Sequence, residues 1–222
     1  MCGSADVIEK LGININISPE NVAECIERIG IGFLFARNLH QAMKYAAGPR
    51  KEIGIKTVFN ILGPLTNPAD ADIQLLGVYS AELCEKLANV LKNLGRKRAL
   101  VVHGCDGLDE ISLFKDTIVY DLKDNNISEY RISPKELGIN SADITKIKGG
   151  DPEMNAGIIL DLLKGKKSPH RDIVSLNAAA AIFASRKTDN LSDALKIASE
   201  SIDSGKAFTK LNKLAELSRS MN

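Results

Sequence analysis

The sequence predicts an α/β protein in which a mostly parallel β-sheet is flanked by helices. A strand pattern at 73–78 is followed by a helical pattern at 80–94 and a second strand pattern at 99–102. A β-α-β succession of this kind joins parallel strands. The second strand is apolar throughout, which is typical of burial on both faces. The last third of the chain carries helical patterns, so helices are available to cover such a sheet.

Composition and charge exclude several classes of protein. The difference between 29 basic and 28 acidic residues is a net charge of +1, so neither a nucleic acid nor a membrane surface is expected as a partner. No apolar run reaches the ~18 residues of a membrane span, and the first residues lack the pattern of a signal peptide. The four cysteines form no Cys-x-x-Cys pair, which predicts free thiols and a cytoplasmic location.

The N-terminal part predicts two helices and a rigid loop. Ser18 and Pro19 begin a helix that ends at Gly30. A second helix is predicted at 40–53, with a break at Pro49. The stretch 58–68 contains two prolines and a glycine, which fix the backbone, and therefore predicts a stiff, irregular loop.

Beyond the second strand, the sequence predicts a hairpin and then several helices. Strand patterns at 117–122 and 127–132 flank the turn sequence KDNN. Ser133 to Glu136 has the pattern of a capping box at the start of a short helix. Further helices are predicted from Pro152, from Pro169 and from about Leu191.

A glycine-rich turn at 104–110, called the acid turn below, follows the buried strand and ends in Asp109 and Glu110. Ligands of open α/β sheets bind beyond the carboxyl ends of the strands. Mg²⁺ typically takes one or two carboxylates together with substrate phosphates. The pair therefore indicates either a magnesium site or two solvated loop acids, and its spacing does not separate these interpretations. Asp106 is expected to cap or brace the turn.

Seven segments of the chain resemble the anthranilate phosphoribosyltransferase family, in the order in which that family has them. They are GSADVIEKLG at 3–12, GIGFLFA at 30–36, the stretch with His40, Met43 and Arg50, FNILGPLTNP at 59–68, HGCDGLDEIS at 103–112, GGDPEMNA at 149–156 and RDIVSLNAAAA at 171–181. The resemblance implies transfer of a phosphoribosyl group from phosphoribosyl diphosphate to anthranilate in tryptophan biosynthesis, with Mg²⁺ bound by the diphosphate. It also implies a nucleoside phosphorylase/phosphoribosyltransferase-like fold, with a small helical domain, and a homodimer.

The resemblance assigns roles to individual residues. Asp109 and Glu110 match the family's metal-binding acids, and Ser4 matches a serine that touches phosphoribosyl diphosphate. Arg50 matches the arginine that contacts anthranilate, whose carboxylate a guanidinium can bind through two hydrogen bonds. The lining of the anthranilate channel is matched by His40, Met43 and Pro64. No general base is assigned, because a neutral aromatic amine is already nucleophilic.

Each of these residues also has an interpretation without a function. Ser4 is a candidate helix cap, Arg50 a solvated helix arginine, His40 a surface histidine and Met43 a core residue. Two other functions stay open for the chain as a whole. One is a non-catalytic binding relative of the same fold, which the acid pair and the low net charge disfavour. The other is a fragment of a pyrimidine nucleoside phosphorylase, a family with a segment comparable to GSADV.

The match begins well inside the family's α/β domain. We therefore expect residues 1–222 to form that domain without the family's N-terminal helices, first strands and diphosphate-binding glycine loop, and about 38–60 to pack as part of the helical subdomain. Backbone N–H groups of such a loop hold phosphates. The expectation is that this chain is a truncated product, the product of a mis-called start, or one half of a split enzyme whose other half is a separate N-terminal chain, and that it has little transferase activity alone.

Overall fold

The computed structural model describes residues 3–35, 59–139 and 143–221. The chain divides into two compact units. The helical unit comprises 1–68, 149–165 and 202–222, and the sheet unit comprises 69–148 and 166–201. The helix predicted at 40–53 lies outside the described residues. No helix in the described part of the chain is long and apolar enough to cross a membrane.

In the described part of the chain, helices and strands follow one another in an order that keeps its four strands in the sheet unit. In chain order, the described elements are α1 Ser4–Lys10, α2 Pro19–Ile29, α3 Phe59–Leu65, β1 Ile73–Gly77, α4 Glu82–Asn93, β2 Arg98–Gly104, β3 Thr117–Lys123, β4 Asn126–Ile132, α5 Pro152–Leu163, α6 Pro169–Ala184, α7 Leu191–Asp203 and α8 Lys206–Ser220. Short 3₁₀ helices cover Pro134–Leu137 and Ile144–Ile147.

In the helical unit, one of the two serine helix caps predicted from the sequence is present. The Ser18 side chain accepts a hydrogen bond from the Asn21 N–H at 3.2 Å, as the Ser-Pro pattern predicts. The cap of α1, by contrast, is Gly3, and Ser4 is the first helical residue. The interpretation of Ser4 as a helix cap is therefore wrong. The core of this unit joins α2 and α8 through buried apolar side chains, namely Ile13, Ile17, Val22, Cys25, Leu214 and Ala215.

The stretch 58–68 contains helix α3, where the sequence predicted an irregular loop. That prediction was wrong because a proline disturbs a helix mainly through the carbonyl four residues before it. Pro64 is the penultimate residue of a seven-residue helix, so its ring removes one bond and interrupts no later turn. The Thr66 N–H and hydroxyl both donate to the Leu62 carbonyl at 2.9 Å and close the helix.

The sheet unit confirms the α/β class, and its four strands pair in the order β1-β2-β3-β4. β1 and β2 are parallel and connected by α4, whereas β2–β3 and β3–β4 are antiparallel. The predicted hairpin is β3–β4, with its turn at Asp124 and Asn125, both in left-handed backbone conformation. The parallel part of this mixed sheet is thus the β1–β2 pair.

Strand β2 is the centre of the sheet core. Residues Ala99 to Val102 are at most 1% exposed, as an apolar strand with neighbours on both sides should be. Leu100 and Val102 pack with Ile173 and Leu176 of α6 on one face. The 3₁₀ helix after β4 begins after Ser133, as predicted, but Ser133 makes no side-chain cap hydrogen bond, so the predicted capping box does not form.

A buried ion pair joins β2 to β3. The Arg98 Nη2 donates to Asp121 Oδ2 at 3.0 Å and its Nε to Oδ1 at 3.3 Å, with both side chains less than 10% exposed. The guanidinium also lies 4.5 Å from the ring centroid of Phe183. Because each charge is out of water, removal of one partner leaves the other without compensation.

We expect Asp121→Ala to lower the free energy of unfolding by about 3–5 kcal/mol, since the Arg98 charge stays buried without its carboxylate. Urea denaturation measures the change. The matched control is Asp72→Ala, which removes the carboxylate from the exposed pair with Lys97 at 2.5 Å and should change stability by about 0–1 kcal/mol. Equal losses in the two variants would contradict the assigned role of the buried pair.

Candidate active site

The acid turn leaves the C-terminal end of β2 and returns to β3 through residues 111–116. Asp109 is exposed and Glu110 is half-buried. Ile111, the next residue, is fully buried and belongs to the main core cluster of the sheet unit. The backbone is thus anchored directly beside two carboxylates that face outward or partly outward.

The acid turn lies directly against the end of β1. A Cβ atom placed on Gly77 would lie 1.6 Å from the Asp109 carbonyl oxygen and 2.6 Å from its carbon. Any side chain at position 77 therefore collides with backbone, not with a movable side chain. The acid turn can occupy this position only because residue 77 is a glycine.

Asp106 braces the turn from within, as the sequence predicts. Its carboxylate accepts a hydrogen bond from the Ser112 hydroxyl and another, at 3.4 Å, from the Leu108 N–H. The Ser112 N–H in turn donates to the Thr117 hydroxyl at 3.0 Å. Ser112 and Thr117 are fully buried, so these bonds satisfy polar groups that water cannot reach.

Asn177 of α6 holds the turn from outside, and the sequence did not identify it as a site residue. Its Oδ1 accepts from the Ile111 N–H at 2.8 Å, and its Nδ2 donates to the Ile111 carbonyl at 3.0 Å. The same Nδ2 lies 3.4 Å from Glu110 Oε2. The available signal was a lone amide between Leu176 and the run Ala178 to Ala181, on a helix expected to face the core.

The electrostatics of the turn disfavour an ionised Glu110. Burial raises the pKa of Glu110 above its ordinary value, and the negative charges of Asp109 and then Asp106 raise this pKa further. A group of like charges is stabilised by a counter-charge. The acid turn therefore has the electrostatic character of a cation site.

The donors at this turn fit Mg²⁺ as a partly protein-bound ion. Asp109 and Glu110 offer hard carboxylate oxygens, which Mg²⁺ prefers, at a partly exposed position. In residues 3–35, 59–139 and 143–221, no group of three or more His, Cys, Asp or Glu side chains is arranged to hold a metal. The remaining ligands would then be water and substrate oxygens, which is the usual arrangement for Mg²⁺ beside phosphates.

The other predicted site residues are Ser4 and Pro64, which the structure describes, and three residues that it does not describe. Ser4 begins α1 and Pro64 lies in α3, both in the helical unit, whereas the acid turn belongs to the sheet unit. His40, Met43 and Arg50 lie outside the described residues. Their assignments to the substrate site stay predictions.

Comparisons with known proteins find close relatives. The family model described as "Glycosyl transferase family, a/b domain" matches residues 1–208. Anthranilate phosphoribosyltransferase from Desulforamulus reducens is 51% identical over 220 residues, which cover 99% of this chain and 64% of the relative. The chain thus spans slightly less than two thirds of this curated relative.

Solved structures agree with this finding. The crystal structure of anthranilate phosphoribosyltransferase from Thermus thermophilus superposes with a TM-score of 0.91 at 44% identity and covers 98% of this chain and 64% of its own. The enzyme from Saccharomyces cerevisiae in complex with PRPP and Mg superposes with a TM-score of 0.89 at 29% identity, covering 98% and 63%. The fold of the described residues is therefore the fold of the matching part of these enzymes.

We expect Gly77→Ala to destabilise the protein by about 3 kcal/mol, because the new methyl group requires the backbone at Asp109 to move. Chemical denaturation measures the loss. Gly157→Ala is the matched control: Gly157 lies inside α5 with open space around it, and alanine should stabilise that helix by about 0.5–1 kcal/mol. A neutral Gly77→Ala variant would show that the turn lies elsewhere.

We expect Glu110→Gln to raise the unfolding temperature at pH 7 without divalent metal. The pKa of Glu110 is higher in the folded than in the unfolded state, so its ionised form opposes folding above the folded-state pKa. The advantage of glutamine should shrink as the pH falls through that pKa and vanish below the unfolded-state value. Calorimetry from pH 4 to pH 8, roughly the range in which a raised carboxyl pKa acts, measures it.

The control for this pH series is Glu27→Gln, at an exposed position on α2. A pH-independent difference between Glu110→Gln and the wild type would contradict the electrostatic explanation.

Proposed function

We propose, from the premise that this chain belongs to the glycosyl transferase family by its a/b domain, that it carries the α/β part of an anthranilate phosphoribosyltransferase. The proposed reaction transfers the phosphoribosyl group of phosphoribosyl diphosphate to the amine of anthranilate. Its products are phosphoribosyl anthranilate and diphosphate. The names and the near-complete coverage of this chain by its relatives support the proposal.

The single observation that carries the proposal is the braced acid turn at the C-terminal end of β2. Two adjacent carboxylates are held there on a backbone that is fixed by Gly77, Ser112 and Asn177. This is the edge of an α/β sheet at which ligands bind. A departing diphosphate gathers negative charge, so a cation between it and the acids lowers the barrier.

Magnesium is the ion proposed for this turn. Asp109 and Glu110 would hold it together with diphosphate oxygens, and the bound ion would stabilise the charge on the leaving group. The complex of the yeast enzyme with PRPP and Mg supports this assignment. The protein's own part is to keep two like charges adjacent on a fixed backbone, ready for the cation.

The remaining substrate contacts belong to the same proposal. Ser4 is proposed to contact phosphoribosyl diphosphate and Arg50 the carboxylate of anthranilate. His40, Met43 and Pro64 are proposed to line the anthranilate channel. The nucleophile is the neutral amine, so orientation of the two substrates and stabilisation of the leaving group supply most of the rate acceleration. A homodimer is proposed from the resemblance to the family, and a cytoplasmic location from the free thiols that the cysteine pattern predicts.

The function is tested by anthranilate consumption, followed through its fluorescence, with phosphoribosyl diphosphate and Mg²⁺. Because the chain spans 64% of its relative from Desulforamulus reducens, the assay uses these residues joined to the remaining part of that relative, and we expect Mg²⁺-dependent turnover from that protein. Asp109→Asn and Glu110→Gln should each lower kcat/KM by about 10²-fold or more, which is the usual loss when a group that stabilises transition-state charge is removed. The readout is initial rate against Mg²⁺ concentration.

Asp116→Asn is the control, because it neutralises a half-buried acid just before β3 and outside the acid turn. Its rate should match that of the wild type. Full activity in both acid-turn variants would refute the role of the pair. A thermal shift with thymidine and phosphate, and none with anthranilate, would identify a nucleoside phosphorylase instead.

A further inference from the structure

We propose that Asn177 is the positioning residue of the acid turn: its amide fixes the backbone at Ile111 so that the carboxylates of Asp109 and Glu110 are presented to a cation. This inference rests on the proposed function, because it concerns the same metal-binding pair. Asn177 acts through the turn and is not proposed to touch substrate or metal.

The first argument is that the amide of Asn177 imitates a neighbouring strand. Its Oδ1 and Nδ2 bond to the N–H and the carbonyl of one residue, Ile111, at 2.8 and 3.0 Å. Two bonds to one residue determine both the position and the rotation of that peptide segment. Glu110 precedes it directly, so the direction of the Glu110 side chain is set by the same contact.

The second argument comes from the number of hydrogens that the side-chain nitrogen of Asn177 can donate. A carboxamide nitrogen has two hydrogens, yet three acceptors surround the Nδ2 of Asn177. They are the carbonyls of Ile111 and Ile173, both at 3.0 Å, and Glu110 Oε2 at 3.4 Å. The two shorter contacts can take both hydrogens. The amide therefore holds the backbone firmly while the Glu110 carboxylate keeps its capacity to bind a cation.

A purely helical role for Asn177 makes the opposite prediction. Alanine forms helices better than asparagine, so Asn177→Ala should be neutral or favourable for α6 itself. If Asn177 instead holds the turn, alanine cannot replace it. The buried N–H and carbonyl of Ile111 would then both lose their hydrogen-bond partner.

The experiment combines amide exchange with metal binding. In Asn177→Ala, hydrogen exchange at the Ile111 amide should become roughly tenfold faster, as for a lost hydrogen bond. Mn²⁺ binding in the presence of diphosphate is measured from the electron paramagnetic resonance signal of free Mn²⁺. The Mn²⁺ concentration for half-saturation should rise about 10–100-fold, the range for partners that orient metal ligands. In turnover, the Mg²⁺ requirement should change more than kcat at saturating Mg²⁺.

Two further variants separate positioning from folding. Ala181→Gly weakens α6 at an exposed position one turn beyond Asn177, and should leave Ile111 exchange and Mn²⁺ binding unchanged. Asn177→Gln keeps an amide donor and acceptor without adding a charge beside Glu110, and should recover part of the protection of the Ile111 N–H. Equal effects of Asn177→Ala and Ala181→Gly on the two readouts would overturn the proposal.

The outcomes also separate this inference from the proposed function. If wild-type protein binds Mn²⁺ and diphosphate no better than Asp109→Asn, the metal site fails. If it binds them well and Asn177→Ala binds them equally, the site stands and the positioning role fails.

Discussion

Three carboxylates, those of Asp106, Asp109 and Glu110, share one short turn, and the burial of Glu110 beside the other two acids is the constraint to which the contacts of this turn respond. Burial and the neighbouring charges raise the pKa of Glu110, so the ionised turn is held against an electrostatic cost. Such a cost is expected at a functional site, where the arrangement of charges serves a ligand that arrives later.

Neighbouring elements offset that cost by steric and hydrogen-bonding contacts. The turn lies on Gly77 of β1, is braced by Ser112 beside β3 and is clamped by Asn177 of α6. These contacts come from a strand, from the loop before β3 and from a helix of the same unit. The position of the acids thus depends on the placement of β1 and α6 as well as on the brace within the turn.

The placement of those elements depends in turn on β2. Its four central residues are almost fully buried, and the buried pair of Arg98 and Asp121 fixes its register against β3. A shift of one residue along this pairing would turn every side chain of β2 to the opposite face and separate the two charges. The same strand ends at the acid turn, so the register of the core and the location of the candidate site are set together.

Local patterns alone determined much of this protein. The strand–helix–strand succession predicted β1 and β2, and the turn sequence KDNN between two strand patterns predicted the hairpin. Ser18, Asp151 and Ser168 each precede a helix and accept a cap hydrogen bond. These features depend on neighbours within about four residues, which a sequence displays directly. The acid turn was found for the same reason, and its family was recognised from contiguous segments.

Tertiary structure alone decided how that turn is held. Gly77 lies 32 residues before Asp109, and Asn177 lies 66 residues after Ile111. At such separations a glycine in a strand and an amide in a helix look locally ordinary, and only the packed chain brings them to the turn. The helix at Pro64 was missed because the energy lost at a proline depends on how much helix follows it, which the completed fold determines.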